Sequence, residues 1–130
     1  MQEQNDEAHL LDIQIIATVL FIGSLLLSIL ITYNDRQIAK NEPPPLTNEQ
    51  VTVLSIFNRT FVVILTLVFL YINYKSRENA KKDNEEMWPF NLQICASELS
   101  LLASIIVLYV VIETSGQQYT IIPGINNPSL

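Results

Sequence analysis

Two ionised residues fall inside stretches otherwise apolar enough to cross a membrane, Arg59 within Val51 to Tyr74 and Glu98 within Leu92 to Ile112. A charge at mid-bilayer costs roughly 2.5 to 3.5 kcal/mol on insertion scales, so such residues normally face an opposite charge, water or an ion path. These two are opposite in sign. Measured back from Tyr74 and onward from Trp88 in an antiparallel hairpin, their depths differ by about 7 Å at about 1.5 Å per helical residue, within reach of an extended arginine. The expectation is an intramembrane charge pair, Arg59 with Glu98, made within one chain or between neighbouring chains.

The uncharged polar residues of the same stretches fall at helical spacings. Thr52, Arg59, Thr66 and Asn73 recur every seven residues, with Ser55 one turn from Arg59. Gln93, Ser97, Ser100 and Ser104 follow one face of the third stretch, with Glu98 at its margin, and Ser24, Ser28 and Thr32 step by four along the first. Small and polar stripes of this kind are the usual composition of helix contacts in lipid. Two uses suit them: packing three helices together, or lining a wet path in which Arg59 and Glu98 select ions or handle protons.

The elements that must carry these residues are three apolar blocks, Ile13 to Tyr33, Val51 to Tyr74 and Leu92 to Ile112, in a chain of 130 residues that is 49% hydrophobic with mean hydropathy +0.30. Each matches the roughly 20 helical residues that cross about 30 Å of hydrocarbon. The charged connectors and tails that remain are too short to cover three buried helices of a soluble core. The expected fold is all-α and integral to the membrane: three transmembrane helices over about 13–33, 51–74 and 90–112, in an up-down-up bundle with short connectors. The whole chain, 1–130, reads as a single membrane domain with an acidic N-terminal segment, 1–12, and a polar C-terminal tail, 113–130. Residues 1–12 carry Glu3, Asp6, Glu7 and Asp12 and no Lys or Arg, so the first block lacks the basic flank and cleavage site of a signal peptide and reads as a retained anchor.

The connectors punctuate the helices. Pro43, Pro44 and Pro45 forbid helix and favour a stiff turn, and Thr47 with Gln50 forms a T-x-x-Q capping box that starts the second helix. The second helix is expected to run past Tyr74 through "KSRENAKK" until Asp83 and Asn84 break it. Trp88 and Pro89 then mark an interfacial aromatic and a first-turn proline, with Glu85 and Glu86 near the positive end of that helix. Lys75, Arg77, Lys81 and Lys82 outnumber Arg36 and Lys40 of the first connector. By the positive-inside rule this puts the N-terminus and the second connector in the cytoplasm and the C-terminus outside, in a cell or inner membrane.

Several motifs fail on context. Asn58-Arg59-Thr60 matches a glycosylation acceptor but lies inside a span, His9 has no metal-ligating companion, and Cys95 is the only cysteine. No nucleophile elbow, zinc motif or phosphate-cradling glycine loop is present, and no basic stripe points to nucleic acid. The chain reads as a non-enzyme without cofactor or metal, whose partners are the lipid bilayer and other membrane protein subunits or copies of itself. The expected function is that of an accessory, assembly or scaffold subunit of a membrane protein complex, the alternative being a homo-oligomeric ion-conducting or holin-like pore. Three-span holins resemble the chain in size and span count alone, and their strongly basic tail has no counterpart here. Tyr119, Ile121 and Ile122, an apolar and β-prone segment before Pro123 and Gly124, form a candidate docking tail.

Overall fold

The structure is a computed structural model, and it describes residues 2–115. It consists of three helices, α1 (Gln2–Ala39), α2 (Asn48–Lys82) and α3 (Trp88–Ser115). Each is long and apolar enough to cross a membrane. Calls on Tyr119, Ile121 and Ile122 lie outside the described residues.

The helices start and stop where local chemistry dictates. Thr47 Oγ1 accepts from the Gln50 backbone N–H at 3.2 Å while the Gln50 side chain accepts from the Thr47 N–H at 3.0 Å, closing the expected capping box. Both α1 and α2 end in the same device. Asn41 and Asn84 each adopt φ of 57°, the left-handed conformation that asparagine tolerates better than most residues. The next N–H then reaches back to an otherwise open carbonyl, Glu42 to Gln37 at 2.9 Å and Glu85 to Ala80 at 3.0 Å. This is the Schellman closure of a helix C-terminus.

α1 and α2 overrun the expected spans. At about 1.5 Å per residue, the 38 residues of α1 and 35 of α2 reach well beyond about 30 Å of hydrocarbon. The longer overruns lie at one end, where the acidic first turns of α1 meet the basic last turns of α2 around a cleft lined by Glu7, Leu10, Gln14, Ser76, Asn79 and Lys82, among others. Most residues of 1–12 are good helix formers (Glu, Gln, Ala, Leu), and Leu10 is buried. The apolar block therefore did not mark where the helix begins.

The packing is a row. α1 packs on α2 and α2 on α3, while among the described residues α1 and α3 do not pack on one another. The contacts follow a seven-residue period: Leu10, Ala17, Ser24 and Ile31 are the buried line of α1, and Val51, Asn58, Leu65 and Ile72 that of α2. A 3.5-residue seam is the signature of helices crossing at a shallow left-handed angle. Much of the remaining surface is large and aliphatic, for example Ile15, Val19, Leu26, Leu99 and Ile106, a composition matched to lipid.

Candidate functional site

The polar residues of the spans form two sets of contacts, one on each side of α2. Between α1 and α2 the centre is Asn58, 2% exposed. Ser24 Oγ donates to its Oδ1 at 2.6 Å, and its Nδ2 donates to Ser28 Oγ at 2.8 Å. The two serines lie one turn apart on α1, so they meet the two ends of a single amide. Asn58 thus bonds in both directions. Nearer the first connector, Asn34 is fully buried and its Oδ1 accepts the Leu46 N–H at 2.9 Å, fastening the connector to α1. Among the described residues, Asn34 Nδ2 and the Ser55 hydroxyl are buried without a hydrogen-bond partner.

Between α2 and α3, Asn73 Nδ2 donates to Ser97, and the hydroxyls of Thr66 and Ser104 meet at 3.3 Å. The second contact is the weaker one. Each hydroxyl has a single proton, and each has a shorter bond to a carbonyl of its own helix, Thr66 to Val63 at 2.7 Å and Ser104 to Leu101 at 2.8 Å. Near the second connector, Arg77 Nε donates to Asn91 Oδ1 at 2.8 Å and Tyr74 Oη donates to Glu98 Oε1 at 3.0 Å.

These contacts fix the register of the α2–α3 hairpin, and with it the depths of Arg59 and Glu98 within one chain. Thr66 is level with Ser104 and Asn73 with Ser97. Continued along both helices, the same register puts Arg59 level with Val111 and Glu98 level with Ile72, about 20 Å apart at about 1.5 Å per residue. Among the described residues no ion pair joins Arg59 to Glu98, and Lys75 pairs with Glu78 within α2. The reason is where α3 starts: in this register Trp88 is level with Lys82 and not with Tyr74, which slides α3 by about two turns. Glu98 therefore sits beside Tyr74 towards the second-connector end, while Arg59, half-buried, follows Asn58 nearer the other.

The expected seams divide in the same way. Ser24, Ser28, Thr66, Asn73, Ser97 and Ser104 lie in helix contacts, and Ser55 is buried on α2. Thr52 is half-buried; Thr32, Gln93 and Ser100 are exposed. Steps of four advance a helix by about 40° each relative to one face, so Thr32 has rotated away from the line of Ser24, whereas steps of seven drift by only about 20°. The residue that the seams omitted is Asn58. Its signal was present as the Asn-Arg-Thr match: an asparagine in mid-span must satisfy its amide, and Ser24 and Ser28 offered the right spacing.

Because the row is open, one side of α2 forms the floor of a groove of about 520 Å³. Phe21 of α1 stands at one wall, Thr66, Phe69 and Asn73 at the floor, and Gln93, Ala96, Ser97 and Ser100 at the other wall. Among the described residues its polar lining is amide and hydroxyl, without an ionised group. Among the described residues no cluster of His, Cys, Asp and Glu that could hold a metal ion is found. Comparison with known proteins returns no match, whether among protein-family models, curated proteins or solved structures.

Proposed function

We propose that the protein is an interaction subunit of the membrane, an accessory, assembly or scaffold component whose helices dock against other helices. The observation that carries this reading is the open row. α2 is packed on both flanks, yet α1 and α3 leave between them a groove with polar residues, and polar groups in such positions are the contacts by which transmembrane helices associate. The cationic connector, Lys75 to Lys82, would lie in the cytoplasm and Leu130 outside.

Purification in a mild detergent tests the proposal. A second polypeptide recovered in fixed ratio, or a defined homo-oligomer that does not make liposomes leak, supports it. The pore reading rests on the half-buried Arg59 within a span. An oligomer that releases ions from liposomes at a rate altered by Arg59→Gln would replace the subunit reading with the pore.

A further inference from the structure

We infer that the cleft between the first turns of α1 and the last turns of α2 holds the headgroup of a membrane lipid, a zwitterion with a primary ammonium, as in the ethanolamine phospholipids. The site lies apart from the groove beside α3 and does not depend on which helices the chain docks against.

All three helices contribute to this cleft. α1 and α2 supply most of its lining, and the half-buried Phe90 of α3 adds to it. Its volume is about 370 Å³, within the range of about 300 to 1,000 Å³ usual for ligand sites. The lining is graded along the membrane normal. Ile72, buried, lies inside the apolar block of α2, and Leu10 and Leu11 come just before that of α1. Ser76 and Asn79, both half-buried, follow Tyr74 by about 3 and 8 Å at about 1.5 Å per residue, the depth of lipid headgroups. Glu7, Lys82, Asp83 and Glu85 are exposed and form the rim. Apolar, then hydroxyl and amide, then charged, the cleft repeats the profile of a phospholipid lying beside it in the same leaflet.

The rim does not neutralise itself. Among the described residues Lys82 forms no ion pair with Glu7, Asp83 or Glu85, and the side chains of Gln14, Ser76 and Asn79 make no hydrogen bond. Opposite charges that face one cleft and stay apart leave room for a ligand that carries both. Three carboxylates against one ammonium leave the rim negative, so a headgroup whose only charge is its phosphate would meet like charge. Among zwitterionic headgroups, a primary ammonium brings three N–H donors to the carboxylates and amide oxygens, whereas a trimethylated one brings none. Lys82 is then left for the phosphate.

Lipid retention by the full chain tests this, read by native mass spectrometry after mild extraction from vesicles of equal parts ethanolamine, choline and glycerol phospholipid. One ethanolamine lipid per chain should be retained about tenfold over either of the others, the worth of a hydrogen bond to a charged group. The doubly neutralised variant Glu7→Gln, Glu85→Gln should lose that preference. Glu42→Gln with Glu49→Gln, the same change of charge at exposed positions by the other end of α2, should keep it, and circular dichroism should show full helicity in both variants. Equal retention of the three lipids, preference for the glycerol lipid, or an ethanolamine preference that survives Glu7→Gln, Glu85→Gln overturns the inference. Displacement of the retained lipid by soluble ethanolamine phosphate at equal concentration also overturns it, because the apolar part of the cleft would then contribute nothing.

Discussion

Replacement of Asn58 by alanine should loosen α1 from α2 while leaving α2 on α3. The side chain makes two hydrogen bonds across the helix contact, with Ser24 at 2.6 Å and with Ser28 at 2.8 Å. Bonds of this kind in membrane bundles average about 0.6 kcal/mol and reach about 1.7, so the pair is worth about 1 to 3 kcal/mol. Ser24→Ala and Ser28→Ala each remove one of them, and a double-mutant cycle with Asn58→Ala should return a coupling of about 0.5 to 1.5 kcal/mol for each serine. The buried bond to Ser24 should be the larger. Thr66→Ala is the control: its hydroxyl already bonds the Val63 carbonyl of its own helix, so the cost should stay near or below about 0.5 kcal/mol. The assay is reversible unfolding in mixed micelles, read by circular dichroism and by energy transfer between labels at Gln4 and Glu85, which line one cleft at the α1–α2 end. Additivity between Asn58 and both serines within about 0.3 kcal/mol would refute the reasoning, because a shared hydrogen bond must appear as coupling.

Three further outcomes follow from the same geometry. Arg59→Leu and Glu98→Leu should be additive in stability within about 0.5 kcal/mol, as expected for sites well beyond 10 Å; rescue in the double variant would show that the two charges meet after all. Thr47→Ala should cost about 1 kcal/mol through loss of the capping box that starts α2, measured by thermal unfolding in detergent, and an unchanged midpoint would contradict it. A topology reporter inserted after Asn84 should be active in the cytoplasm and one fused after Leu130 outside, and the reverse pattern would mean that the second-connector lysines do not set the orientation.

What was legible in the residues was whatever depends on composition and on local chemistry. Three charge-poor blocks could only be buried by lipid, the Thr47 and Gln50 pair could only start a helix, and Asp83 with Asn84 fell where α2 stops. Helix ends away from such signals were harder. The segment 1–12 is polar, so hydropathy is silent on it, yet most of its residues are good helix formers and Leu10 packs inward to hold the first turns of α1 in place.

The site was harder to read because register is a property of two helices together. Arg59 and Glu98 are near in depth only if Tyr74 and Trp88 are level; with Trp88 opposite Lys82, the two charges of one chain stand about 20 Å apart at about 1.5 Å per residue. Polar residues then found nearer partners: Glu98 took Tyr74, and the serines of α1 took Asn58. Spacing within one helix says which residues share a face, but not which neighbour that face meets. On α3 the polar residues assigned to one stripe serve two faces, Ser97 and Ser104 towards α2 and Gln93 and Ser100 towards the groove. A helix with one neighbour needs only one seam, so the second leaves α3 with amide and hydroxyl groups facing the groove, the kind of contact by which the proposed interaction subunit would meet other helices.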